Sequence, residues 1–397
     1  MIQECRLFSY LLSASSPERF VMLYRFLTLL RNALCRLISL PGAFRAYALF
    51  VVFSIATVSL LFVAGCHKPT LAETYVASFV GNTACASCHQ KEFDVHHTTR
   101  HATTLRAVNK KGLDTLPLTT GRIADSAYAL YDNGDGFSFG WKNKTEGAMP
   151  LQLALGSDRI AYTFVNTMDN HSIMEFRESY HPASKAWHTT PGHDSSETET
   201  LGKVYEQSIG RRCLGCHAVV LPVDSVTPDP KFYGVGCESC HGPGKKHVEA
   251  VQSGNMTELN MVKLGTLGAE KLNHLCGKCH RNAEDVAPDQ MDMTQRFAAF
   301  GVSRSRCFRE SNDRLTCIKC HNRHTNVSED KKRYEQTCLS CHTAKPASFG
   351  PSEGGKACPV NPKTGCIPCH MPKRAAGPGK FADHYIRVFS TKELATP

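Results

Sequence analysis

Apolar and polar positions divide the chain into three kinds of territory. Ala46 to Gly65 is a twenty-residue run without charge, and Arg25, Arg31, Arg36 and Arg45 precede it. A basic flank followed by an apolar run is the pattern of an export signal, and a run of this length is also just enough to span a bilayer as a helix. From Ile123 to Glu178 the period is two. Tyr128 and Leu130 alternate with polar or small neighbours, Asp132-Asn-Gly-Asp-Gly136 reads as a turn, and Phe137, Phe139 and Trp141 alternate again. Ile160, Tyr162 and Phe164 repeat the pattern, and Ile173, Glu175 and Arg177 extend it. This predicts a small antiparallel sheet. Beyond Gly202 no such period holds, and short helices and loops are expected. The longest helix-compatible stretches are Asn260 to Cys276 and Pro288 to Ala299, the latter with proline suitably placed in its first turn.

Cysteine changes this picture. Nineteen cysteines in 397 residues are too many for an ordinary reduced protein, and their spacing decides what they do. Seven runs read Cys-x-x-Cys-His: Cys85/Cys88/His89, Cys213/Cys216/His217, Cys237/Cys240/His241, Cys276/Cys279/His280, Cys317/Cys320/His321, Cys338/Cys341/His342 and Cys366/Cys369/His370. Chance would supply about 0.04 copies at this composition. The spacing suits covalent haem: two thiols add across the two vinyl groups, one helical turn presents both sulfurs to one porphyrin edge, and the adjoining histidine binds iron. Zinc knuckles use paired half-sites without a histidine after every second cysteine, and a redox Cys-x-x-Cys occurs once per domain. Seven haem c groups are therefore expected. Sites two and three, five and six, and six and seven are separated by segments too short for separate domains, so neighbouring haems should nearly touch. Only the stretch from His89 to Cys213 is long.

The formal charge of +10 loses its meaning once this is seen. Six basic and two acidic residues precede Cys66, leaving 40 against 34 on the rest, and each ferric haem with ionised propionates adds about −1. The basic balance is no argument for nucleic acid.

Twelve histidines lie outside the motifs: His67, His96, His97, His101, His171, His181, His188, His193, His247, His274, His324 and His384. His67 adjoins the apolar run. The other eleven suffice to give all seven irons a second imidazole, which makes iron fully ligated and suited to electron transfer. His181, His188 and His193 lie in a turn-rich run before the second site, where at least one is expected to bind iron, and His274 is a weaker candidate. Met371 is expected to pack. Cys307 and Cys358 stand outside the motifs, either joined by a disulfide or as separate thiols.

Four local patterns give a more specific resemblance. Cys85-Ala-Ser-Cys-His89 with Thr99-Arg100-His101-Ala102, Gly236-Cys237-Glu238-Ser239-Cys240-His241-Gly242-Pro243-Gly244 with His247, Cys317-Ile-Lys-Cys-His321-Asn322-Arg323-His324, and Cys366-Ile-Pro-Cys-His370-Met371-Pro372-Lys373 with Asp383-His384 resemble the multihaem c-type cytochromes grouped with hydroxylamine oxidoreductase, pentahaem nitrite reductase and the tetrahaem cytochrome of ammonia oxidisers. The resemblance runs from about residue 80 to 390. It implies that His101, His247, His324 and His384 are distal iron ligands beside the proximal His89, His217, His241, His280, His321, His342 and His370. It departs from pentahaem nitrite reductase in having no CxxCK site, and no catalytic residue is nominated.

Together these readings predict a mainly α, loop-rich multihaem cytochrome, with short helices wrapped on haems and a small antiparallel β insertion. The expected segments are 1–66 as signal and anchor, 67–121 as the first haem segment, 122–200 as the β insertion, and 201–397 as a six-haem domain. The sequence Leu61-Phe62-Val63-Ala64-Gly65-Cys66 resembles a bacterial lipobox, so the protein is expected on the periplasmic side of a bacterial membrane, lipid-anchored at Cys66 or held by an uncleaved helix. The expected work is electron transfer between a membrane quinol-oxidising donor and a soluble or membrane acceptor. Reduction of a small nitrogen or sulfur oxyanion at one open haem is the alternative.

Overall fold

The computed structural model describes residues 42, 69–109, 116, 118–169, 171–194, 200–342, 358–361, 363–376 and 379–395. Contacts divide the chain into two units, 1–74 and 75–397. In the first, Thr70 and Glu73 exchange side-chain to backbone hydrogen bonds of 2.7 and 3.1 Å, a reciprocal cap that opens helix α1 (Leu71–Val76). The apolar run 46–65, Cys66 and His67 lie outside the described residues. Among those described, no helix is long and apolar enough to cross a membrane.

The alternating territory forms strands, and there is more of it than expected. Strands β1 (Leu105–Ala107), β2 (Gly121–Arg122), β3 (Tyr128–Asp132), β4 (Phe137–Trp141), β5 (Met149–Pro150), β6 (Leu153–Gly156), β7 (Tyr162–Thr167), β8 (Ile173–Phe176), β9 (Glu178–His181), β10 (Ala186–Thr189) and β11 (Gly202–Tyr205) run on past both predicted limits. They build a seven-stranded sheet in the order β1-β6-β7-β8-β11, with β9 paired to β7 and β10, and a four-stranded sheet β2-β3-β4-β5. All ladders are antiparallel. The predicted hairpin is there: Asp132 pairs with Phe137, and the Asn133 carboxamide accepts from the N–H groups of Asp135 and Gly136 at 3.1 and 2.7 Å. The run holding His181 and His188 is the β9–β10 hairpin, not a string of turns.

The expectation of a mainly α fold with a small insertion is thus corrected. The sheet escapes full recognition because at its centre both faces are buried. On β6, Ala154 joins Tyr128, Leu130, Phe139, Phe164 and Phe176 in the core between the sheets. Its neighbours Leu153 and Leu155 point the other way, with Leu105, Val165 and Ile173, onto Leu214 of helix α2 (Gln207–His217), which carries the second haem motif. A strand buried on both faces reads as a continuous apolar run.

The remainder wraps in short helices. Residues 260–276 do not form one helix: a 3₁₀ turn occupies Leu264–Thr266, and helix α3 (Ala269–His280) begins only after Gly268, where Asp313 accepts from the N–H of Glu270 at 3.0 Å. Residues 288–299 break likewise into a 3₁₀ turn at Pro288–Gln290 and the start of helix α4 (Ala298–Arg304). A further hairpin, β12 (Lys373–Ala376) with β13 (Gly379–Ala382), follows the last motif.

Candidate haem sites

Every Cys-x-x-Cys-His run takes one helical turn. The His89 N–H donates to the Cys85 carbonyl at 2.9 Å, His321 to Cys317 at 3.0 Å and His342 to Cys338 at 2.9 Å. Sites two and four end longer helices, α2 and α3. Sites three and seven are short helices of their own, α5 (Cys237–His241) and α6 (Cys366–His370). The turn puts both thiols on one side and leaves the imidazole beyond them.

The four nominated distal histidines each face a motif histidine from a different part of the chain. His247 lies opposite His89 with ring centroids 6.3 Å apart, His101 opposite His280 at 6.0 Å, His324 opposite His241 at 6.4 Å and His384 opposite His321 at 6.3 Å. These separations test the fit of an iron. Two imidazoles each bonded at about 2.0 Å to one metal, with about 1.15 Å from nitrogen to ring centre, stand about 6.3 Å apart. Imidazoles packed directly on each other would be closer, as His181 and His188 are at 4.6 Å.

Proton placement agrees. The Nδ1 atoms of His241, His247 and His384 lie 2.9, 2.8 and 2.9 Å from the carbonyls of Val262, Leu259 and Ala382. Those of His217 and His370 lie 3.0 Å from the carbonyls of Thr104 and Arg387. A carbonyl only accepts, so Nδ1 carries the proton and Nε2 is left free to bind metal. Burial, first among causes, lowers the pKa of His101, His217, His321, His324 and His384. His280 falls to about 4 through burial, then through His101, His384, His321 and Arg296.

The remaining candidates are placed otherwise. His274 forms a surface pair with Glu284 at 2.9 Å. His193 Nε2 meets Glu175 Oε2 at 3.1 Å. His171 sits exposed in a turn with φ of 65°. Among the described residues, neither His217 nor His370 has a histidine ring opposite it. Cys307 and Cys358 are separate free thiols, not a disulfide, with Cys307 close to Cys320 of site five and Cys341 of site six.

Thiols of different motifs come together. Sulfurs lie near each other at Cys85 and Cys237, Cys216 and Cys279, Cys276 and Cys317, and Cys338 and Cys366. Cys240 lies near Cys276, and Cys320 near Cys338. The sites thus follow the order one, three, four, five, six, seven, with site two joined to site four. Sequence spacing anticipates the contacts five–six and six–seven, whereas the thiols of site two pair with site four rather than with site three.

Cys88 and Cys369 stand apart from this network: both are exposed, where their motif partners Cys85 and Cys366 are half-buried. Position explains the difference. Sites one and seven end the order, each meets a single neighbouring site, and each does so through its first cysteine. The second cysteine of each motif is turned to the outside instead, with Cys88 Sγ accepting from the neighbouring Ser87 hydroxyl at 3.8 Å. The second thiols of sites four and six, Cys279 and Cys341, are also exposed, but they lie against Cys216 and Cys307.

Glu238, between the cysteines of site three, is not singled out by its sequence context. Its side chain is 2 % exposed and accepts three backbone N–H bonds, from Val80 at 2.9 Å, Gly81 at 2.8 Å and Gly244 at 2.7 Å. It ties site three to the segment that enters site one.

Residues 84–120 and 170–242 match the family model of cytochrome c554 and c-prime. These segments hold the first three motifs. A 120-residue stretch is 29% identical to multihaem cytochrome MtrA of Shewanella baltica (strain OS185), covering 29% of this chain and 29% of that protein. Among solved structures, outer cell wall cytochrome OcwA aligns over 80% of this chain and 81% of its own, at 17% identity and a TM-score of 0.47. The undecahaem cytochrome from the S-layer of Carboxydothermus ferrireducens aligns over 81% and 53%, at 18% identity and a TM-score of 0.42. Motifs and sequence likeness agree on the class: a c-type cytochrome with several covalently attached haems.

Proposed function

We propose that this is a seven-haem electron carrier, membrane-anchored on the exported side, in which at least four irons have histidine on both faces. The observation that carries this reading is the set of four facing imidazole pairs at 6.0–6.4 Å. Haem supplies one-electron chemistry at its iron. The chain's own residues do the rest. Fourteen motif thiols hold the groups covalently, carbonyls fix the ring tautomers, and paired imidazoles deny small molecules a coordination position. Redox partner proteins, a quinol-oxidising membrane donor and a separate acceptor, complete the route. Matured in a periplasm with haem-attachment machinery, the processed chain is expected to gain the mass of seven haems, and pyridine haemochrome assay is expected to return seven per polypeptide. Six or fewer would reject the count.

Anchoring belongs to the same proposal. Cys66→Ser is expected to release the protein from the membrane fraction and to abolish labelling by radioactive palmitate. If the wild type takes up no palmitate, an uncleaved apolar helix replaces the lipid.

A second reading is reduction of a small nitrogen or sulfur oxyanion. What favours it is His217 at site two, which has no histidine opposite it among the described residues and lies under the sheet. An iron ligated on one face only can bind substrate.

A further inference from the structure

One hydrogen bond recurs at three places where motifs meet. The residue three positions before the first cysteine of one motif reaches the backbone N–H of the first cysteine of another. Asn82, ahead of Cys85, accepts from the N–H of Cys237 at 2.9 Å. Asn273, ahead of Cys276, accepts from the N–H of Cys317 at 2.9 Å. Glu335, ahead of Cys338, accepts from the N–H of Cys366 at 3.1 Å. In all three cases the sulfurs of the two first cysteines also lie near each other.

The physical basis is the orphan N–H at a helix start. Each receiving cysteine is the first residue of its short helix: α5, α7 (Cys317–Cys320) and α6. No side chain of the preceding residue caps that start. A side-chain oxygen from the partner motif serves instead, so each helix is capped across the site boundary rather than within its own segment. The fit is built from both sides. A Cβ at Gly236 would collide with the Asn82 carboxamide, so glycine is required there for the approach. Asn273 is 7% exposed, and its amide donates to the Leu315 carbonyl at 3.1 Å, which fixes which end of the side chain points to Cys317. Glu335 is likewise 7% exposed. Site two lacks the device: Gly210 stands three residues before Cys213, and its thiol contact with site four runs between second cysteines, Cys216 and Cys279.

We infer that Asn82, Asn273 and Glu335 are positioning residues that lock the haem sites into three alike pairs, one–three, four–five and six–seven, with site two as a branch outside the pairing. The inference rests on the seven-haem reading above. Because each key bonds the residue that carries a thioether, it sets the offset between two porphyrin edges, and hence their electronic coupling. Within a pair electrons are shared fastest, and transfer between pairs is slower.

The test uses the intact, haem-loaded protein. Asn82→Ala, Asn273→Ala and Glu335→Ala are compared with Asn82→Asp and Glu335→Gln, which keep an acceptor oxygen. Haemochrome assay first fixes the haem number, which decides the underlying reading separately from this one. Soret circular dichroism then reads exciton coupling between adjacent haems, and paramagnetic resonance reads spin coupling and ligation. Each alanine variant is expected to lose about a third of the coupled signal, since distant pairs act independently, with no haem turned high-spin. The acceptor-keeping variants are expected to regain it. Seven haems with an unchanged coupled signal in the alanine variants would overturn the inference. So would Glu335→Gln or Asn82→Asp behaving like the corresponding alanine variant.

Discussion

Changing His384 to alanine is expected to convert one haem in seven from low to high spin while all seven stay attached. His384 Nδ1 lies 2.9 Å from the Ala382 carbonyl, so its Nε2 faces His321 across the 6.3 Å between ring centres. The ring is held by architecture rather than by its own acid neighbour. Asp383, fully buried, spends its oxygens on Thr294 Oγ1 at 2.6 Å, Arg374 Nη1 at 3.1 Å and the Tyr385 N–H at 2.9 Å. Asp383 builds the turn that aims the ring. Alanine removes the imidazole and leaves the thioethers untouched, so the optical spectrum should gain a high-spin component near one seventh of the total, and carbon monoxide should bind to that fraction after reduction. Alanine at His101, His247 or His324 should act alike at the sites of His280, His89 and His241. A spectrum identical to wild type would remove the residue from the ligand set.

Glu238→Ala is expected to be the most destabilising single change away from iron. Three N–H groups, two buried and that of Val80 half-buried, lose a carboxylate acceptor, each leaving an unmet donor at about 1–3 kcal/mol. The three share one side chain and do not add fully, so a loss of about 3–5 kcal/mol is expected. For a chain of this size that lowers the melting temperature by roughly 5 °C. Glu238→Gln should fall between. Its carbonyl oxygen can still serve Val80 and Gly244, while its amide nitrogen opposes the Gly81 N–H. A calorimetric scan with unchanged melting for the alanine variant would show that the clamp carries no stability.

What the sequence discloses follows from how local each feature is. The haem motifs are contained in five residues and need only one helical turn, so all seven stand out. Their surroundings do not: that Cys88 and Cys369 face outward depends on which sites end the order, and that order is set by the backbone path. The four distal histidines are nominated by neighbouring motif residues. Their opposite rings are not readable, because each pairing joins distant chain segments: His101, just after site one, faces site four. Asn82, Asn273, Glu335 and Glu238 pass for ordinary polar residues until the partner backbone is in place. The signal that finds three of them, an oxygen-bearing residue three places before a motif, acquires meaning only from the contact. The sheet is legible where apolar residues alternate with small or polar ones, as in β3 and β4, and hidden at β6, where both faces are covered. The stretch from Pro288 to Ala299 carries helix-compatible residues, yet its backbone serves loop contacts, with Arg304 donating to the Met291 carbonyl at 2.6 Å.

The most direct test of the central claim is the paramagnetic resonance spectrum of the fully oxidised wild-type protein. Histidine on both faces of iron gives low-spin signals, and integration should assign at least four of seven haems to them. Any high-spin iron should lie outside the sites of His89, His241, His280 and His321. A spectrum with four or more haems in the high-spin state would contradict the account.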